Sequence, residues 1–300
     1  QGIETRSKDV SVAAIGKGSG EATQTGIKRE QLAVEIMRYA DRYTGRMALE
    51  AEAIRNKTTS PQLRRFASGW ALLTNNNTRT AQDYIGKLQG FGIPADQNSV
   101  FTSSTVTAQY LLSKYGPGAV LHVVGMDGLI TTLEEAGFVI THGEQQPVNS
   151  VAAVVAGMDR AINHEKIKIA MRLILRGADF VATNTDGSFP TPEGINPGTG
   201  MVIGALQFTS GVHPYIAGKP YPAIFTTALQ TLGASPSRAL MVGDRLETDI
   251  LGANQLGIQT AAVLTGVTSR EEIANKDIKP DLVYEDISAL HQALKEVYDS

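Results

Sequence analysis

The chain has 300 residues, 27 basic against 30 acidic side chains for a net charge of −3, 42% hydrophobic residues and no cysteine. Such a length predicts two domains, or one core carrying a large insertion, with ample apolar content for a packed interior. The charge balance argues against a nucleic-acid partner, and the lack of cysteine excludes disulfides, thiolate metal sites and cysteine nucleophiles while suiting the cytoplasm.

Residues 1–28 contain one strand-like run, Val10-Ser11-Val12-Ala13-Ala14-Ile15, then the loose Gly16-Lys17-Gly18-Ser19-Gly20. The chain opens on Gln1 rather than methionine, as a fragment or processed product would. Over 28–56, Leu32, Ile36, Tyr39, Tyr43, Met47 and Ala51 recur at spacings of three to four, which predicts a long amphipathic helix. Ser60 reads as an N-cap with Pro61 at the first helical position, opening a short helix through 62–67. Residues 1–68 are therefore expected to be mostly helical.

From Trp70 onward short apolar runs alternate with helical stretches, the pattern of a parallel sheet with crossover helices. Strands are expected at 70–73, 100–102, 120–124, 151–155, 180–183, 216–218, 239–242, 260–264 and 282–283. Helices are expected at 81–90, 165–176, 224–232 and 246–256. The fold class is α/β, with a Rossmann-like parallel core. No apolar run approaches the roughly 18 residues of a membrane span, and no apolar signal-peptide core opens the chain, so no membrane partner is expected.

Three strand ends carry chemistry. After Met241-Val242-Gly243, Asp244 and Asp249 stand five positions apart on the outgoing turn. Open α/β sheets bind ligands outside the carboxyl ends of their strands, and Mg²⁺ is held there by one or two carboxylates plus phosphate oxygens. Alone, the pair suits a solvated acidic turn equally well. Thr74-Asn75-Asn76 offers a hydroxyl and exposed amides where a helix N-terminus favours an anion, although a plain capping turn has the same residues. Gly218-Lys219-Pro220 puts an ammonium at a third strand end, where a lone lysine is commonly only solvated. Hydroxyl and amides, ammonium and paired carboxylates, in that order, make a phosphate-plus-Mg²⁺ site.

Leu72-Leu73-Thr74-Asn75-Asn76, Gly218-Lys219-Pro220 and Gly243-Asp244-Arg245-Leu246-Glu247-Thr248-Asp249 resemble the second, third and fourth motifs of haloacid dehalogenase (HAD) superfamily phosphatases. The likeness is to the capped branch of NagD-like, p-nitrophenyl phosphate, pyridoxal phosphate and phosphoglycolate phosphatases, and it runs from about Leu72 to the C-terminus. Ala182-Thr183-Asn184-Thr185-Asp186 and Pro197-Gly198-Thr199-Gly200 look like that branch's cap, and Val263-Leu264-Thr265-Gly266-Val267 like its last core strand and turn. The resemblance implies a core over 69–115 and 212–300 with an α/β cap inserted at 116–211. It implies that Thr74 with the Asn75 and Asn76 amides binds the phosphoryl group, and that Lys219 neutralises its charge and steadies the nucleophile. Asp244 would ligate Mg²⁺ and Asp249 would support the metal site from behind. Asp186 would face the substrate from the cap, a turn-forming role being the alternative.

The resemblance also implies a first motif, an apolar strand ending in Asp-x-Asp-Gly, whose first Asp attacks phosphorus and whose second acts as acid and base. No Asp-x-Asp occurs in the chain, and the two Asp-Gly pairs, Asp127-Gly128 and Asp186-Gly187, both follow the second motif. Family spacing places a nucleophile near Asp41, inside a run of helical period with Tyr43 at the partner acid's position. The other candidate first strand, 10–15, is followed by Lys17, which would stand where the family has a carboxylate. Something must fill that central slot, because each buried backbone group left unpaired costs about 1–3 kcal/mol.

The leading expectation is a Mg²⁺-dependent phosphomonoester hydrolase acting on a small phosphorylated metabolite. The alternatives are a non-catalytic phosphate-binding or interaction protein, a pseudophosphatase, and a fused or truncated reading frame. The substrate is not legible, and a homo-oligomer is compatible with the sequence.

Overall fold

The computed structural model describes residues 11–15, 69–148, 150–191 and 194–298. Its strands in chain order are β1 Ser11–Ile15, β2 Gly69–Thr74, β3 Val100–Thr102, β4 Val120–Val124, β5 Val139–His142, β6 Ala153–Ala156, β7 Asp179–Ala182, β8 Ser188–Thr191, β9 Gly194–Pro197, β10 Tyr215–Ile216, β11 Ala239–Gly243, β12 Gln259–Val263 and β13 Leu282–Tyr284. The helices are α1 Ala81–Gly90, α2 Ser103–Tyr115, α3 Asp127–Glu135, α4 His164–Leu175, α5 Gly200–Ser210, α6 Pro222–Thr231, α7 Leu251–Gln255, α8 Arg270–Asn275 and α9 Ile287–Tyr298. The described residues form two compact units: 11–15, 69–74, 85–101 and 225–298, and 75–84, 102–148, 150–191 and 194–224.

The first unit holds a six-stranded sheet in the order β13-β12-β11-β1-β2-β3. Every residue of β11 is buried, as befits a strand covered on both faces, and β11, β12 and β13 run parallel. The central slot is filled by β1, which runs antiparallel to both β2 and β11. Val12 pairs with Leu72 on one side and Val242 on the other, so these three residues form one row across the sheet.

The strand expected at 10–15 does fill the slot, and β1 ends at Ile15 between Gly69 and Ala239, at the opposite end of its neighbours from Thr74 and Asp244. Apolar content makes a strand without setting its direction, and an antiparallel ladder satisfies the same backbone groups of β2 and β11 as a parallel one. Lys17 itself, Asp41 and the helices expected over 28–56 and 62–67 lie outside the described residues.

The second unit holds a five-stranded sheet, β10-β7-β6-β4-β5, in which every pairing is parallel. Leu121, Val123, Ala153, Val155 and Val181 face Ala108, Leu111, Leu129 and Leu133 from α2 and α3. On the other face Val124, Val154, Ala156, Phe180 and Ala182 meet Ala170, Ile174, Val202, Ile203 and Leu206 from α4 and α5. Period-two alternation thus buries both faces, and each fully buried Leu or Val side chain stabilises by roughly 1.5–3 kcal/mol. Replacing fully buried Leu111 by Ala would cost about 2–5 kcal/mol in lost transfer energy and cavity. β5 and β6 lie on opposite sides of β4, so the strand order reverses between β4 and β6. Ligands of doubly wound sheets bind at that switch point.

Candidate active site

In the first unit, register places Thr74 and Asp244 at one edge. Each lies two residues beyond the Leu72–Val12–Val242 row, and with one strand between them they are separated by about 10 Å, two strand spacings. Thr74 is fully buried at the end of β2.

Asp244 and Asp249 meet through a π-helical turn, Leu246–Ile250, where a single helix over 246–256 was expected; α7 begins only after it. The turn folds back because position 243 has no side chain. A β-carbon on Gly243 would fall 2.3 Å from Cβ of Asp249. Asp249 is buried, and its Oδ2 accepts the backbone N–H groups of Asp244 and Arg245, each at 3.2 Å, while Oδ1 accepts the Thr248 hydroxyl at 3.3 Å. Both of its oxygens thus help to hold the turn. Asp244 accepts the Val267 N–H at Oδ2, 3.0 Å, and the Thr268 N–H at its carbonyl, 3.0 Å. The turn after β12 can press this closely because Gly266 also lacks a β-carbon.

Among the described residues, no three of His, Cys, Asp and Glu converge to enclose a metal. The donors at this edge are hard carboxylate oxygens, and Mg²⁺ typically takes only one or two such ligands and completes its shell with water and phosphate. Asp244 therefore fits such an ion.

The second unit gathers Asn75, Asp186 and Lys219. The Asn75 side chain accepts the Lys219 N–H at 2.8 Å and donates to the Lys219 carbonyl at 3.0 Å. The same Nδ2 donates to both oxygens of Asp186, at 3.2 and 3.3 Å. Lys219 is 3% exposed. Asn76 accepts the Thr78 N–H and hydroxyl, at 2.9 and 2.8 Å, which makes its side chain a turn former.

Two further residues complete this region without having stood out in the sequence. Ser103, at the start of α2, donates its hydroxyl to the Asn75 carbonyl at 2.8 Å. Asn77 is buried and donates to Thr183 Oγ1 and Asn184 Oδ1, both at 3.0 Å, and to Thr199 Oγ1 at 3.3 Å, while accepting the Met158 N–H at 2.8 Å. Segment 75–79 thereby docks into the switch-point crevice between β4 and β6. Gly157 there would put a β-carbon 2.8 Å from Asn77 Oδ1, and Gly128 one 2.4 Å from the Thr78 backbone. The chain itself fills the crevice, leaving Asp186 and Lys219 as the charged groups after β7 and β10. The run of three asparagines was the only sequence signal for Asn77.

Comparison with known proteins agrees with this architecture. A family model described as haloacid dehalogenase-like hydrolase matches residues 55–139, and one described as HAD-hydrolase-like matches 216–290. An acid sugar phosphatase of Staphylococcus aureus is 38% identical over 216 residues, 72% of this chain and 81% of that protein. A p-nitrophenyl phosphatase from Archaeoglobus fulgidus superposes with a TM-score of 0.69 at 33% identity, covering 74% of this chain and 84% of the other. A glycerol phosphate phosphatase from Mycobacterium tuberculosis, solved with magnesium, gives a TM-score of 0.66 at 33% identity over 74% of this chain and 67% of its own.

Proposed function

The chain belongs to the NagD-like phosphatases of the haloacid dehalogenase-like hydrolases, and from that membership we propose that it binds a small phosphorylated sugar together with Mg²⁺. The reaction its site serves is hydrolysis of the phosphomonoester. The observation that carries this reading is the turn from Gly243 to Asp249, built around two buried carboxylates at the same sheet edge as Thr74. The names of the relatives, an acid sugar phosphatase and a glycerol phosphate phosphatase holding magnesium, support the substrate class and the ion.

In this reading the Thr74 hydroxyl and the amides of Asn75 and Asn76 bind the phosphoryl oxygens, and Lys219 offsets their charge. Asp244 holds Mg²⁺ and Asp249 fixes the backbone that presents Asp244. Bound there, Mg²⁺ would stabilise negative charge on the phosphoryl group. Residues 116–211 would be the cap that selects the sugar.

A second reading, ligand binding without turnover, is favoured by two observations. The chain contains no Asp-x-Asp, and β1 enters the central slot with its carboxyl end away from Thr74 and Asp244. Losing a covalent nucleophile removes the two-step route while sparing contacts to phosphate and metal.

Release of p-nitrophenol from p-nitrophenyl phosphate, with and without Mg²⁺, separates the two. Metal-dependent release abolished by Asp244→Asn establishes hydrolysis, and its further loss in Asp41→Asn would make Asp41 the nucleophile. Inert protein whose melting temperature still rises with phosphate and Mg²⁺ is a binder. Protein that neither hydrolyses nor binds refutes both readings and returns the fused reading frame.

A further inference from the structure

Resting on the role given to Lys219 above, we infer that Asn75 is a positioning residue for that lysine, acting through its side-chain amide rather than through its backbone. The carboxamide brackets Lys219 on both of that residue's own peptide groups, accepting its N–H at 2.8 Å and donating to its carbonyl at 3.0 Å, as a partner strand would. This pairing joins residues 144 positions apart and fixes the backbone from which the lysine stem departs. The interaction of Nδ2 with Asp186 ties the loop after β7 into the same amide, so one side chain holds the segments after β7 and β10 together.

The surroundings are shaped for this arrangement. Gly218 donates its N–H to the Thr183 carbonyl at 2.7 Å, and a β-carbon on it would fall 2.6 Å from Asn75 Oδ1 and 2.5 Å from that carbonyl. Asn75 is itself buried, and its own carbonyl is held by Ser103. A carboxamide can accept and donate at once in this geometry, which neither a carboxylate nor an aliphatic side chain can do. An aspartate would set a carboxylate against both Asp186 and the Lys219 carbonyl. Asp186 acts on Lys219 by orienting Asn75.

Two measurements on the full chain test the assignment. In the first, lysines of the ligand-free protein are acetylated at low reagent concentration and the rate at each is read by mass spectrometry. Asn75→Ala is expected to speed modification of Lys219 by about tenfold, the scale of lost buried hydrogen bonds, while Lys166, ion-paired with Asp159 in the same unit, keeps its rate. An unchanged Lys219 rate, or equal acceleration at Lys166, overturns the inference. Gly218→Ala, which crowds Asn75 without altering it, is expected to give the same selective acceleration and carries the test if Asn75→Ala fails to fold. In the second, inorganic phosphate is titrated calorimetrically. Asn75→Ala should weaken its binding about tenfold in the native background and less than about twofold beside Lys219→Met. Equal losses in both backgrounds mean that Asn75 does not act through Lys219. If the unaltered chain binds no phosphate, the functional reading fails, while the acetylation rates still decide the role of Asn75.

Discussion

Gly266 lies flat against the carboxylate of Asp244: a β-carbon at position 266 would sit 1.9 Å from Oδ2 and 2.1 Å from Cβ of that aspartate. The contact lets the neighbouring Val267 N–H reach the same oxygen at 3.0 Å. Gly266→Ala must push Asp244 aside or bend the turn after β12. Overpacking of this kind costs about 1–3 kcal/mol. Urea unfolding should show that loss, and the rise of melting temperature with Mg²⁺ should vanish. A variant of native stability and native Mg²⁺ response would mean the turn yields at no cost.

Asp249 makes a separable contribution, because its Oδ2 accepts two backbone N–H groups. Asp249→Ala leaves both without an acceptor, at about 1–3 kcal/mol per buried donor, whereas Asp249→Asn keeps one accepting oxygen but forfeits its charge. Stability in urea should therefore fall in the order native, Asn variant, Ala variant. An Ala variant as stable as the Asn variant would show that the turn holds without these bonds.

Much of the fold was legible in the sequence where local pattern and tertiary environment agree. The bounds of β3 and β4 and of α1 coincide with the periodic runs from which they were read, since both faces of those strands are covered and the helix carries a single apolar stripe. The hairpin β8–β9 is not legible in the sequence because Pro190 and Pro197 argue against strands, and a two-stranded edge tolerates them. The direction of β1 was invisible, since an apolar pentapeptide reads the same both ways. In the candidate site, residue types at strand ends pointed to Thr74, Lys219 and Asp244, but not to the work of the Asn75 side chain. Its partners lie 111 and 144 positions away, and only folding brings them together.

Asn77 should be the most sensitive polar residue of the second unit. Its amide ties the ends of β6 and β7 and the start of α5 to segment 75–79. Asn77→Ala strands the Met158 N–H and opens a polar void, with an expected cost of about 2–4 kcal/mol. Asn77→Asp should be no better, because it presents an acceptor to Asn184 Oδ1, which already accepts from Asn77. Denaturant midpoints for the two variants check this, and a loss below about 0.5 kcal/mol, the range of neutral surface changes, would contradict the network.

His122 predicts how the second unit responds to acid. It lies in the middle of β4, fully buried, with Nδ1 3.1 Å from Thr141 Oγ1 and Nε2 buried without a hydrogen-bond partner among the described residues. Burial, aided by repulsion from His142, pushes its pKa down from 6.5 to about 4. The folded chain thus keeps the ring neutral while the unfolded chain protonates it below about pH 6.5. More protons are then bound by the unfolded state, so stability falls as pH drops from 6.5 towards 4 and changes no further, from this group, below that. At 1.36 kcal/mol per pKa unit the loss is about 3 kcal/mol. Replacing the ring by an apolar side chain, His122→Leu, should remove that component, so the gap between native and variant stability widens by most of that amount in favour of the variant as pH falls from 7.5 to 4.5. Urea unfolding of both at the two pH values measures the gap directly. A constant gap would mean that the ring finds a protonated state inside the fold, and that the core on the α4 and α5 face opens to admit water.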